Sequence, residues 1–280
     1  MVLKFIPPML PTLVEQAPSG DDWIHEIKHD GYRMQLIVEG GVARLYTRQG
    51  KDWTKRFLTV AKDATGLACT SAIIDGEMVA QAPNGASSFN ALIAGAPAVF
   101  VAFDLLHLDE VDQRRQPLAD RRSRLQQMIA GRDFMGFSDA FAGSPAELLK
   151  ACETMNLEGI VSKRCTSLYG SGRSKSWLKV KCWQESELTL LGFEKDAAGR
   201  PIALLARDGD EGLEYAGGAL TGLPKEVRIE VGKLARLQRP PIAILGRKKA
   251  TWLEPTLRLK IRHLRGAGSG IRHASVRGLA

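Results

Sequence analysis

The sequence predicts an α+β protein in two parts: a mixed α/β domain over residues 1–186, then a small β-barrel over residues 187–280. Three observations carry that expectation. Through the first two-thirds of the chain, strand-like runs and helix-like segments are interspersed. From Glu187 the texture changes to short strands at regular spacing, separated by glycine turns, with one helix among them. The chain has 280 residues, 44% hydrophobic and 25% charged, which is enough for one large domain or two modest ones with a real core.

Taken in order, residues 22–48 read as a hairpin: an alternating strand, a turn at Glu39-Gly40-Gly41, and a return strand over 42–48. A short helix follows over 54–63, ending before Gly66. SAIIDGEMVA (71–80) reads as a strand interrupted by a carboxylate cluster, and SSFNALIAG as a brief helix closed by Gly95. AVFVAFDLL (98–106) is a continuous apolar strand, expected to be buried on both faces. Asp120 is expected to cap a helix running towards Gly131. Ser144-Pro145-Ala146-Glu147 has the form of a capping box with proline at the first helical position, opening a helix to about Asn156. Strand-like pieces at 159–163 and 177–182 flank a Gly/Ser-rich loop, YGSGRSKS. Beyond Ser186, LTLLGFEKD, IALLARD and LEYAGGAL are the short strands and 225–237 the helix.

The formal net charge of +8 favours a polyanionic partner. From Arg247 onward, Arg247, Lys248, Lys249, Arg258, Lys260, Arg262, Arg265, Arg272 and Arg277 face the single acid Glu254. A solvated basic tail is one reading. The apolar residues interleaved with these bases, among them Trp252, Leu253, Leu257, Leu259 and Ile261, favour a folded cationic face. Cys69, Cys152, Cys165 and Cys182 form no C-x-x-C pair and have no histidines at metal-ligand spacing, as expected of reduced thiols in a cytosolic protein. Pro7, Pro8 and Pro11 break the opening segment, so it does not read as a secretory signal. No run is long enough to span a bilayer. The five histidines have no zinc spacing, and Ser162 has no triad pattern around it.

The chemistry begins at HEIKHDGYR. Lys28 lies in a strand-like run, and a buried ammonium is costly unless paired. Lys28 is therefore either an edge residue snorkelling to water or a reagent. K-x-D-G-x-R fixes four positions, so at average usage of roughly 6% each it occurs by chance about once in 10⁵ positions. Downstream, in order, come Asp75-Gly76-Glu77, Phe103-Asp104, Glu158-Gly159-Ile160-Val161-Ser162-Lys163 and Lys179-Val180-Lys181.

This ordered set resembles the covalent nucleotidyltransferases: ATP-dependent DNA ligases, RNA ligases and capping enzymes. More narrowly, EIKHDGYR, LYTRQGKDWTKRF, AIIDGE, FDLLHLD, PLADRRSRL, EGIVSKR, GRSKSWLKVK and WLEP are similar to the ligase module of bacterial end-joining ligases of the D type. The resemblance implies an ATP-grasp-like adenylation domain over 1–186 and an OB-fold barrel over 187–280. It implies sealing of nicks or breaks in double-stranded DNA through lysyl-AMP and DNA-adenylate, with a hinge near residues 185–187. A monomer in the bacterial cytoplasm and nucleoid is expected, with a Ku-like end-binding protein and polymerase or nuclease modules as partners. RNA joining, mRNA capping and a catalytically silent DNA-binding repair module are the rivals.

The resemblance also assigns roles. Lys28 is the nucleophile, and Lys179 and Lys181 are cations beside it that neutralise phosphate. Alternation puts these two lysines on one strand face, an arrangement a solvent-facing edge would share. Glu158 goes to Mg²⁺ or Mn²⁺, and Glu77 to the ribose or the metal. Phe103 stacks on the base, with plain core as its rival role, and Val161 or Ile160 covers the other face. Glu26 accepts from the adenine amine, which favours ATP over GTP. Arg33 and Arg48 grip ribose or phosphate, and Ile27 and Lys163 complete the nucleotide set. Arg173 contacts the nick phosphate, or is a surface arginine. Lys248, Lys249 and Arg272 belong to a DNA-binding face. IRHASVRGLA runs out where the family's terminal basic motif begins, so weak self-adenylation is expected unless Arg272 or Arg277 substitutes or the chain is truncated.

Overall fold

The computed structural model describes residues 2–80, 89–220, 222–244, 247, 249–265 and 270–280. The chain divides into two compact units, Met1–Cys182 and Trp183–Ala280, four residues before the boundary read from the sequence. Among the described residues no helix is long and apolar enough to cross a membrane.

The first unit contains β1 (Met9–Leu13), β2 (Trp23–Ile27), β3 (Tyr32–Glu39), β4 (Val42–Thr47), α1 (Leu58–Ala64) and β5 (Ser71–Ala80). These are followed by α2 (Phe89–Ile93), β6 (Ala98–Leu108), β7 (Val111–Asp112), α3 (Leu118–Ile129) and β8 (Met135–Phe137). The unit ends with α4 (Pro145–Thr154), β9 (Gly159–Arg164) and β10 (Gly172–Lys181). One sheet has the order β1-β10-β9-β2; the other runs β4-β3-β5-β6-β7, with β8 on β6. Strand alternation gives the second sheet two apolar faces. Leu36, Ile74 and Phe100 on one face meet Val60, Leu125 and Ile129 of α1 and α3. Ile37, Ile73, Phe103 and Leu106 on the other meet Met9 and Trp177 of the first sheet. The expectation that β6 is buried on both faces follows from that sandwich.

Several expectations need correction. The run around Lys28 is not one strand: β2 belongs to one sheet and β3 to the other, so the chain changes sheets over residues 28–31. The Gly40-Gly41 turn does close the β3–β4 hairpin, both glycines having the positive φ (57° and 75°) that a two-residue hairpin favours. β10 begins at Gly172, inside the segment read as a loop, because β1 pairs with it in parallel from Met9↔Gly172. Pro11 is tolerated in β1 because β1 is an edge strand and shifts register between Pro11 and Thr12. α3 starts after Pro117, so Asp120 sits in its first turn instead of capping it. The Ser144 capping box of α4 is present, with both reciprocal bonds to Glu147.

The second unit contains β11 (Gln184–Lys195), β12 (Pro201–Gly209), β13 (Gly212–Leu220), α5 (Lys225–Lys233), β14 (Arg236–Leu237), β15 (Thr251–Leu253), β16 (Arg258–Arg265) and β17 (Ile271–Leu279). α5 is shorter than read from the sequence because Leu234 turns extended and Arg236–Leu237 pairs with β15. The pairings β11–β12–β13–β17–β16 return to β11 and so run around a closed circuit. Leu188, Leu205, Ala219, Leu259, Ile261 and Val276 form the core of this unit. Exposed Arg258 and Lys260 alternate with buried Leu259 and Ile261, so the basic segment is a folded face and not a tail.

Candidate active site

The spacing of the functional motifs is strand spacing. Register across β2, β9 and β10 aligns Ile24, Lys163 and Trp177 in one row and Glu26, Val161 and Lys179 in the next. Gly159 and Lys181 are paired one step further along. Period two therefore gathers E-x-K, G-x-V-x-K and W-x-K-x-K on one face of the first sheet. Lys28 follows directly, where the chain leaves β2, and its N–H donates to the Gly159 carbonyl at 2.8 Å. From the second sheet, Arg33 pairs in register with Glu77. A bulge between Asp75 and Gly76 leaves Phe103 out of register with β5, and its ring joins the cluster between the sheets.

The glycines of the motifs are fixed by close backbone approach. A Cβ at Gly31 would collide with the Met78 carbonyl, and one at Gly76 with the Phe100 ring. Gly159 has a φ of 141°, and a Cβ there would overlap the Val180 carbonyl.

Between the sheets lies a cavity of about 270 Å³. Among the sequence-predicted residues it is lined by Glu26, Ile27, Lys28, Arg33, Arg48, Glu77, Phe103, Val161, Lys163, Arg173 and Lys179. Glu158 and Lys181 are not in the lining but connect to it: Lys28 Nζ donates to Glu158 Oε2 at 2.5 Å, and Lys181 Nζ lies 3.5 Å from Glu158 Oε1. Burial, then the charges of Lys28 and Lys181, hold the Lys179 ammonium below its ordinary pKa. Burial pushes the Glu77 carboxyl up to about 7, against the pull of Lys28 and Arg33.

Two predicted residues are more occupied than their sequence suggests. Arg33 makes a two-pronged bond to Asp75 (3.0 and 2.7 Å) and donates to the Met9 carbonyl, while its guanidinium stands 4.9 Å from the Phe103 ring centroid. Tyr169 also donates to Asp75, at 2.5 Å, so Asp75 is a structural acid. Glu26 is buried and accepts from Arg122 (2.8 Å), Ser138 (2.6 Å) and Lys163 (2.9 Å). The Lys163 ammonium lies 4.3 Å from the Phe103 ring centroid, and burial brings its pKa down to about 8. Arg48 is exposed at the cavity and makes no ion pair among the described residues. Arg173 is exposed too and donates to the Pro11 carbonyl at 3.3 Å.

Sequence reading missed several neighbours: Leu10, Pro11, His29 and Trp177 line the cavity, and Arg122 and Ser138 hold Glu26. The available signal was PLADRRSRL, which puts two arginines on the apolar stripe of a helix; both are buried. Lys249 is exposed and Arg272 half-buried in the second unit, whereas Lys248 lies outside the described residues. No three metal-ligating side chains converge among the described residues. Glu77 and Glu158 lie near enough for the Glu158 charge to act on the Glu77 carboxyl, and are the two acids that a cation shared with phosphate oxygens and water would use.

The sandwiched sheets and their cationic cavity define a nucleotidyltransferase-type fold. Residues 8–181 match the family model described as ATP dependent DNA ligase domain, and the chain belongs to that family. Among curated relatives, the multifunctional non-homologous end joining protein LigD of Pseudomonas aeruginosa is 33% identical over 99% of this chain and 35% of its own length. The protein of the same name from Mycolicibacterium smegmatis is 29% identical over 97% of this chain and 38% of its own. The chain thus spans little more than a third of these relatives. A solved mycobacterial DNA ligase D complexed with ATP and MES is 27% identical with a TM-score of 0.62, covering 98% of this chain and 94% of that one.

Proposed function

We propose that this chain is a ligase core that seals 3′-hydroxyl/5′-phosphate nicks or breaks in double-stranded DNA, as part of bacterial end joining. The observation that carries the reading is the convergence of Lys28, Lys179, Glu77 and Arg48 on one cavity, with Glu158 at hydrogen-bonding distance from the Lys28 amine. Lys28 must shed a proton before it attacks, and Glu158 is the carboxylate within reach of it. The amine then bonds to the α-phosphorus of ATP as the bond to pyrophosphate breaks, leaving a lysyl phosphoramidate. Lys179 and Lys181 neutralise the phosphate oxygens as charge develops. Glu158 and Glu77 would hold Mg²⁺, which supplies further charge neutralisation when bound. Val161 and Phe103 cover the base, and Glu26 reads its amine. Arg48 is the arginine available to ribose or phosphate, and Arg33 is the brace that holds Asp75. AMP passes next to a 5′-phosphate, and a 3′-hydroxyl displaces it.

In this reading, residues 1–182 are the adenylation domain. Residues 183–280 form an OB-type barrel, a reading supported by the closed circuit of strand pairings with α5 inserted between β13 and β16. Lys249, Arg272 and Arg173 contact DNA, and a Ku-like end-binding protein is the expected recruiter.

Incubation with α-labelled ATP and Mg²⁺, followed by a denaturing gel, tests the reading. A labelled wild type, an unlabelled Lys28→Ala variant and sealing of a nicked duplex are expected. Labelling by GTP instead would point to capping chemistry. Failure to seal even a pre-adenylated nick would refute ligase activity.

A further inference from the structure

We infer that Arg122 is a positioning residue for Glu26: from behind the cavity wall, it holds the carboxylate in place to receive a purine amine. The inference rests on the nucleotide-binding reading above. Arg122 projects from α3 with only 7% of its side chain exposed. Its Nη1 donates to Glu26 Oε1 at 2.8 Å and to the Phe103 carbonyl at 3.3 Å; its Nη2 donates to the Ser138 carbonyl at 2.6 Å. The guanidinium also lies 4.5 Å from the Phe137 ring centroid. One side chain therefore ties β2 of the first sheet to β6 and the end of β8 in the second. These contacts reach the two cavity walls at the residues that would meet the base, Glu26 and Phe103. Only the planar fork of an arginine reaches three acceptors in this way; a lysine does not.

Glu26 has two cationic partners, and they differ in position. Lys163 touches both carboxylate oxygens, at 2.8 and 2.9 Å, and lines the cavity. Arg122 and Ser138 do not line it. An ionised carboxylate offers about four acceptor sites, and these three residues fill them. An incoming amine gains a site on Glu26 only by displacing a partner, and the displaceable one is Lys163, on the cavity side. Arg122 then remains as the permanent counter-ion. Without it, displacing Lys163 would leave a buried anion with only the Ser138 hydroxyl and the neutral amine as partners and no counter-ion, which is strongly disfavoured.

The test titrates the full chain with ATP and with GTP in the lysine-labelling assay. The variants are Arg122→Gln, Ser138→Ala, Glu26→Gln and the Arg122→Gln/Glu26→Gln double. Arg122→Gln is expected to raise the KM for ATP about tenfold, with a smaller fall in limiting rate, and to cut the preference for ATP over GTP by a similar factor. It should add little on top of Glu26→Gln, because it acts through that residue. Ser138→Ala, which leaves both cations in place, should show the same pattern at about threefold. A folded Arg122→Gln with unchanged KM and preference overturns the inference, as do effects that multiply fully with those of Glu26→Gln. Should Arg122→Gln fail to fold, unchanged selectivity in Ser138→Ala overturns it. A wild type labelled on Lys28 without these effects sinks this inference alone; an unlabelled wild type sinks the function reading as well.

Discussion

Gly159→Ala is the substitution that most directly tests how the backbone builds the site. Gly159 has a φ of 141°, a conformation that costs an L side chain about 1–3 kcal/mol. An added Cβ would overlap the Val180 carbonyl and sit 2.8 Å from Lys181 Cα, where ordinary contact begins at 3.4 Å. β10 must retreat by about an ångström to clear the Val180 carbonyl, and overpacking of this kind costs a further ~1–3 kcal/mol. The sum, about 2–6 kcal/mol, is a large share of a typical domain's stability. The displaced strand carries Lys179 and Lys181, and the Gly159 carbonyl is the acceptor for the Lys28 N–H. Misplacement on this scale lowers lysine adenylation by about 10²-fold. Urea unfolding of wild type and variant measures the first quantity, and labelling under conditions where both remain folded measures the second. Gly136→Ala is the control, because a Cβ there meets nothing within 4 Å. If Gly159→Ala matched that control in unfolding midpoint and labelling rate, close backbone approach would not be what fixes glycine here.

Two further predictions concern stability. Arg121 and Asp104 form a fully buried ion pair at 2.7 Å, and burial alone would push the Asp104 carboxyl upward. Arg121→Met should therefore cost about 3–5 kcal/mol by stranding the acid, and Asp104→Asn in the same chain should recover part of that loss in a denaturation cycle. His29 is held down to about 4, chiefly by burial and against the pull of Glu26. Between pH 6.5 and 4 the unfolded chain binds a proton there and the folded chain does not, so stability falls as pH falls through that window. The contribution is up to about 3 kcal/mol, and His29→Gln should flatten that limb of the stability–pH curve.

What the sequence displays well is local and periodic. The alternation of Lys179 and Lys181, the Gly40-Gly41 turn and the Ser144 box are each written within a few residues, and each forms. The motif order places most of the cavity lining, because period two puts those residues on one face. Pairings across long sequence separations leave no local trace. The pairing of β1 with β10 joins Met9 to Gly172, which hides a strand behind prolines and converts an expected loop into one. The change of sheet after Ile27 is equally silent, since β2 and β3 carry the same apolar texture. Arg122 was legible only as one base among several on a helix; its partner Glu26 lies 96 residues away.

Every proposed step follows from transfer of the adenylate to the Lys28 amine. The most direct measurement is peptide mapping by mass spectrometry of the protein after exposure to ATP and Mg²⁺. AMP is expected on the peptide containing Lys28, joined through an acid-labile phosphorus–nitrogen bond. AMP found instead on Lys163 or Lys179, with the Lys28 peptide unmodified, would contradict that transfer.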